Sequence, residues 1–247
     1  MEFDRFITEV RVKSPLPEGS YLKKLPAVRF LERQPLEFKK RVSIFAGENG
    51  SGKSTLLEGI AAAFGFNPEG GSLNYSFETR ATHSELYGHL LLSKLLRPRD
   101  GFFLRAESFY NAASYLESLD EIPCGAPPVL GAYGGVSLHK MSHGESFLRL
   151  VQKRFSGNGL YILDEPEAAL SPMNTLTLIC EIKRLADEGS QFIIATHSPM
   201  LMALPDAELF YISGGDIKRA SYKDTLHWQI TAEFIGNPER TLSRLLK

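Results

Sequence analysis

Short apolar runs alternate with stretches of helical period along the second half of the chain. Gly159–Leu163, Gln191–Thr196 and Leu209–Ser213 read as buried strands, while Glu145–Arg154, Asn174–Asp187 and a stretch from Leu226 onward read as helices. Alternation of this kind predicts a mostly parallel sheet covered by helices. Upstream, Val42–Ala46 reads as a further strand. Leu56, Leu57, Ile60, Ala61 and Phe64 then recur at helical spacing, and the Gly65 to Gly71 stretch ends that helix. Ala46, Leu163 and Thr196 each close a strand just before a polar motif. Ligands on such sheets bind at the carboxyl ends of strands, so these three ends are expected to converge on one crevice.

The remaining segments read less regularly. Phe6–Val12 and Ala27–Leu31 are β-type runs set among turn signals at Pro15, Pro17, Gly19 and Pro35, which predicts a small β-rich lobe over about residues 1–45. Residues from about 76 to 141 are expected to form an inserted helical lobe. It would hold a helix near Ser84–Leu96, a strand at Phe102–Arg105 and a helix near Ser108–Leu119. The expectation is one α/β domain over residues 1–247, its core made by the remainder of the chain.

The motif after Val42–Ala46 carries chemistry. Gly47-Glu48-Asn49-Gly50-Ser51-Gly52-Lys53-Ser54-Thr55 matches G-x-x-x-x-G-K-[ST] between a strand and a helix, the order a phosphate-binding loop requires. Glycines let the backbone curl around phosphate, and the loop amides and helix N-terminus supply donors and a positive dipole. Lys53 is expected to reach the outer phosphates, Ser54 to place its hydroxyl on Mg²⁺, and Thr55 to bond an inner phosphate. At the end of the Gly159–Leu163 strand, Asp164 suits the metal, directly or through water. Glu165, one residue on, could polarise a water attacking a γ-phosphate. Ser142-x-x-Glu145 reads as a capping box, with Ser142 capping a helix whose N-terminus would attract phosphate.

Composition narrows the surroundings. At 247 residues and 43% apolar content the chain can bury a full α/β core without a disulfide or metal staple. A net charge of −1 gives no global pull toward nucleic acid or anionic membrane. Between Arg11 and Arg41, however, nine Lys or Arg face three Glu, an excess of six that fits either a solvated face or a polyanion surface. Cys124 and Cys180 suggest neither a metal site nor a disulfide framework. The acidic N-terminus and the absence of any run of eighteen apolar residues predict a soluble, cytoplasmic protein without direct membrane insertion.

The order of motifs resembles that of the ABC-type ATPases. Met141-Ser142-His143-Gly144-Glu145 is similar to their signature motif, Ala168-Ala169-Leu170-Ser171-Pro172 to the D-loop, and Ala195-Thr196-His197-Ser198-Pro199 to the switch-histidine strand end. The resemblance spans roughly residues 25–213. Its wording, including Leu104–Phe109, is closest to compact stand-alone bacterial ATPases related to the RecF, chromosome-maintenance and OLD groups. It implies a P-loop fold of ABC-ATPase type, ATP and Mg²⁺ as cofactors, and a head-to-tail, ATP-dependent homodimer. In that dimer Ser142 and Gly144 would contact the γ-phosphate held by the partner copy, and His197 would contact a γ-phosphate as well.

Departures from the family pattern are also legible. His143 stands where the motif has its first glycine, and no glutamine lies between the phosphate loop and the signature. Glu107 is a stand-in for that glutamine or a surface-loop residue, and Tyr21 or Phe30 could stack on the base. His83, His89, His139 and His227 show no ligand spacing and are expected to be non-catalytic. Only 86 residues separate Thr55 from Ser142, too few for long coiled-coil arms. Three roles follow: a soluble ATPase in DNA transactions or defence, the nucleotide-binding subunit of a membrane transporter, and an ATP-gated scaffold for a separate effector protein.

Overall fold

Strands whose side chains are buried on both faces form the centre of the molecule, which explains why their sequences read as unbroken apolar runs. The computed structural model describes residues 5–73, 84–105 and 143–246. Its larger sheet holds β3 (Val42–Gly47), β4 (Gly71–Ser72), β6 (Asp100–Arg105), β7 (Gly159–Asp164), β8 (Gln191–Ala195), β9 (Glu208–Ser213) and β10 (Asp216–Arg219). The order across it is β10-β9-β3-β8-β7-β6-β4. Strands β9, β3, β8, β7 and β6 run parallel, and the edges β10 and β4 are antiparallel.

Alternation along each strand divides the core in two. Phe45, Phe103, Leu160, Ile162, Ile193 and Ala195 point toward the face covered by the helix Lys53–Phe64, whose Leu56, Leu57 and Ile60 they meet. On the other face Ile44, Leu104, Tyr161, Leu163, Phe192 and Ile194 pack with Phe147, Leu150 and Val151 of the helix His143–Arg154 and Leu178, Ile182 and Leu185 of the helix Pro172–Asp187. At about 25 cal/mol per Å² of apolar surface removed from water, these double-sided strands dominate the stabilisation.

The second sheet is small and antiparallel, with β1 (Ile7–Val12) between β2 (Leu36–Glu37) and β5 (Leu90–Lys94). One buried amide ties it to the larger sheet. Gln191, at the start of β8, accepts from the backbone N–H groups of Phe6 and Ile7 at 2.9 Å and donates to the carbonyl of Ile7 at 2.8 Å. Glu208 ties a second corner, since its buried carboxylate accepts from Lys39 N–H, Lys40 N–H and the Ser43 hydroxyl.

Two expectations are corrected. Ala27–Leu31 is not a strand but the middle of a helix, Pro26–Arg33. Pro26 fits the first helical turn, where its missing N–H has no partner to lose, and Ala27, Val28, Phe30 and Leu31 bury one helical stripe. The helix expected over Ser84–Leu96 is one turn, Leu86–His89, and the chain then extends as β5, because Leu90 and Leu92 alternate toward the core while Leu91 faces outward. The strand expected at Phe102–Arg105 is β6, inside the larger sheet. The helix expected near Ser108–Leu119, Glu107 and Ser142 lie outside the described residues. No helix among those described is long and apolar enough to cross a membrane.

Candidate functional site

β6, β7 and β8 end level with one another, and β3 runs two residues further. Arg105 of β6 pairs with Asp164 of β7, Asp164 with Ala195 of β8, and Ala195 with Phe45 of β3. The ladder continues one step further, through Glu165 N–H to the Ala195 carbonyl and Thr196 N–H to the Phe45 carbonyl. β3, β7 and β8 therefore deliver their following polar motifs to the same edge, the convergence that the three strand ends predict.

The loop from Gly47 to Gly52 wraps the start of the helix Lys53–Phe64. Gly50 and Gly52 have φ of +77° and +92°, values that side chains with a Cβ resist. A Cβ on Gly52 would also press on Leu25 at 3.1 Å, just before the helix Pro26–Arg33. Ala27 N–H donates to the Ser51 carbonyl, so that N-terminal helix braces the loop. Lys53 is buried, and its ammonium donates to the carbonyls of Gly47 at 2.8 Å and Glu48 at 3.1 Å. Burial pushes the Lys53 pKa below its ordinary value, while the nearby carboxylates of Glu165, Asp164 and Glu167 oppose that shift. Glu48, Asn49 and Gly50 are exposed at the rim, and Ser54 and Thr55 are half-buried behind them.

Ser54 and Asp164, the two residues expected to hold the metal, lie against each other. The Ser54 hydroxyl donates to Asp164 at 3.0 Å. Arg105 lies on the far side of the same carboxylate at 3.7 Å and holds Glu58 at 2.7 Å. Among the described residues no group of three or more His, Cys, Asp or Glu could hold a metal ion. A serine and one carboxylate suit Mg²⁺, which keeps several waters and binds through few protein ligands plus phosphate oxygens.

Glu165 stands beside the switch position. Its carboxylate is 3.6 Å from His197 Nε2, and its backbone adopts φ +50°, a left-handed conformation uncommon for a residue with a long side chain. Glu167, two residues on, accepts from the Thr196 hydroxyl and His197 N–H at 2.7 Å and from Ser198 N–H at 3.1 Å, pinning the strand end that carries His197. Burial and the Lys53 charge hold the His197 pKa below 6.5, with Glu165 and Glu167 pulling the other way.

The signature segment is described from His143. Gly144 is buried, and a Cβ there would lie 2.6 Å from the Ala169 carbonyl, so glycine lets the helix start close on the segment after β7. Glu145 is exposed one residue on. Of the two aromatic candidates, Phe30 is packed in the core, while Tyr21 is exposed in the turn before Leu25.

Three contributors escape the motif reading. Glu167 and Arg105 act through tertiary contacts, although Glu167 does lie within the same acidic stretch as Asp164 and Glu165. His227, expected to be non-catalytic, places Nε2 3.0 Å from His197 Nδ1. It comes from the helix Leu226–Gly236, whose Leu226 and Ile230 join Glu48, Asn49, His197 and His227 around a cavity of about 410 Å³.

Two family models match, both described as AAA domains. One covers residues 24–89; the other covers residues 131–203, and its description couples the AAA domain to the AbiEii toxin of type IV TA systems. The ribose import ATP-binding protein RbsA of Bacillus cereus is 26% identical over 211 residues, covering 79% of this chain and 42% of RbsA. The chain thus spans less than half the length of that relative. The cytochrome c biogenesis ATP-binding export protein CcmA of Legionella pneumophila is 26% identical over 185 residues, or 67% of this chain and 84% of CcmA. Among solved structures, cbiO1 from Clostridium perfringens, part of the ABC transporter complex cbiONQ, matches with a TM-score of 0.51 at 16% identity. That match covers 98% of this chain and 99% of cbiO1, a likeness of fold.

Proposed function

The chain belongs to the ABC-type ATPase superfamily, and on that premise we propose that it hydrolyses ATP with Mg²⁺ while two copies close around the nucleotide. The observation that carries this reading is the parallel, in-register arrangement of β3, β7 and β8, which gathers the phosphate loop, the two acids and His197 at one edge. Gly47 through Thr55 would cradle the phosphates, and Lys53 would leave its carbonyl partners for the outer ones. Ser54 and Asp164 are the side chains that would hold Mg²⁺, whose charge would neutralise that of the β- and γ-phosphates. Glu165 would orient and polarise the attacking water, and His197 would close the γ side. Ser142, Gly144 and Glu145 would meet the nucleotide of the partner copy.

The cycle would serve a DNA transaction or a defence system. The excess of Lys and Arg between Arg11 and Arg41 and the toxin–antitoxin description of one matching family model support that direction. Structure tempers the charge argument, since Arg33 already pairs with Asp216, Lys39 with Glu37 and Arg11 with Glu9. A second reading, the nucleotide-binding subunit of a transporter, is favoured by the import and export proteins that the chain resembles.

Steady-state ATP hydrolysis with and without duplex DNA at low salt, with Glu165→Gln as the blank, separates these readings. Hydrolysis absent from that variant supports the enzyme, and hydrolysis of equal rate in both overturns it. DNA stimulation lost on neutralising Lys39, Lys40 and Arg41 supports the nucleic-acid role. Stable co-purification with an integral membrane protein, without a DNA effect, supports the transporter role. A Glu165→Gln protein that binds ATP normally yet stays monomeric would refute the closing dimer.

A further inference from the structure

We propose that His227 is a positioning residue that donates its Nε2–H to His197 Nδ1, thereby fixing His197 with a proton on Nε2, the nitrogen that faces Glu165. This deepens the ATPase reading and rests on it for the catalytic consequence, though not for the hydrogen bond itself.

The direction of the bond follows from what each ring faces. The two nitrogens are 3.0 Å apart, so one donates and the other accepts. If His197 Nδ1 donated, its Nε2 would turn a bare lone pair toward the Glu165 carboxylate at 3.6 Å. The same choice would leave His227 Nδ1 protonated, a buried N–H with no partner. An unmade buried donor costs the desolvation of that group. If His227 Nε2 donates, the first fault vanishes and the buried N–H becomes a bare acceptor: His197 Nε2–H points at Glu165, and His227 Nδ1 is an unprotonated nitrogen. The third arrangement, with both rings charged, sets two cations in contact beside Lys53.

Burial favours two neutral rings, and the charged groups around the pair act in both directions. Lys53 acts on both, Glu165 and Glu167 face His197, and Glu48 faces His227. Burial is the larger influence on each ring and holds both below the ordinary histidine range. A neutral His197 with Nε2–H is a hydrogen-bond donor toward an incoming γ-phosphate without having to bind a proton first. The helix Leu226–Gly236 thereby becomes part of the site. Thr225, buried at its N-cap, accepts from Trp228 N–H and fixes the first turn on which His227 sits.

Nitrogen-15 NMR of the histidine rings in the nucleotide-free protein reads the hydrogen bond directly. His197 Nδ1 should resonate as an unprotonated nitrogen and Nε2 as a protonated one at pH 7.5, and His227→Leu should mix the two forms. A protonated His197 Nδ1 in the wild-type protein overturns the proposal. In steady-state kinetics His227→Leu should lower kcat about tenfold, the worth of one hydrogen bond, with KM for ATP unchanged. His227→Gln, which keeps a donor, should recover much of that loss. Equal kcat in wild type and His227→Leu also overturns the proposal. Should the wild type show no Glu165-dependent hydrolysis, the ATPase reading fails while the ring nitrogens still decide the histidine pair.

Discussion

Glu167 accepts a hydrogen bond from the backbone N–H of His197 at 2.7 Å, and the same oxygen takes the N–H of Ser198 and the hydroxyl of Thr196. One carboxylate thus sets where the end of β8 points. Removing it in Glu167→Ala should lower kcat by about tenfold or more through misplacement of His197, with a smaller effect on KM for ATP. Glu167→Gln keeps a carbonyl acceptor and should fall between the two. Steady-state kinetics on the three proteins checks the order.

Arg105 joins the metal side of the site to the sheet. Its guanidinium holds Glu58 at 2.7 Å and stands 3.7 Å from Asp164. Arg105→Ala removes the cation from a largely buried carboxylate and should cost about 2 kcal/mol of stability. It should also raise the Mg²⁺ concentration needed for half-maximal hydrolysis, because Asp164 loses a neighbour that fixes its orientation. Chemical denaturation and a Mg²⁺ titration measure the two effects separately.

The attachment of the small sheet depends on Gln191. Gln191→Leu keeps volume but strands the N–H groups of Phe6 and Ile7 and the carbonyl of Ile7, a loss of about 3 kcal/mol. Denaturant melts should show that loss, and limited proteolysis should cut first within β1.

Both site histidines bind protons more weakly than a free histidine, mainly through burial. In the unfolded chain each would take its proton near 6.5, so acid favours the unfolded state. Their contribution is fully present above pH 6.5 and is lost as the pH falls through the lower folded values. Melting temperature should therefore decline on the acid side of 6.5, and less steeply once both rings are replaced. Hydrolysis should hold a plateau down to pH 6.5 and fall only below it, as His197 charges. Melting curves and rate profiles from pH 5 to 8 test both statements.

Much of this site was legible because its parts are local. The phosphate loop, Asp164 with Glu165, and the switch position each follow a short apolar run that reads as a buried strand, and parallel strands of similar length end close together. What the sequence hid arises from the meeting of distant segments. His227 lies thirty positions beyond His197 and shares no spacing rule with it. Gln191 reads as a polar start to an apolar strand, with no sign that it serves β1. Ala27–Leu31 misleads for a different reason: an apolar run around a single arginine suits either period, and Pro26 at the helix start was the deciding signal.

The left-handed backbone of Glu165 has a consequence for heat tolerance. Asparagine and glycine settle in that conformation more readily than glutamate does. Either replacement would end turnover and yet relax the turn after β7, so the disabled protein should outlast the working one on heating. Under the proposed role of Glu165, thermal resilience and catalysis are set against each other at a single φ angle. A descendant that kept only nucleotide binding would have a downhill path away from glutamate at that position.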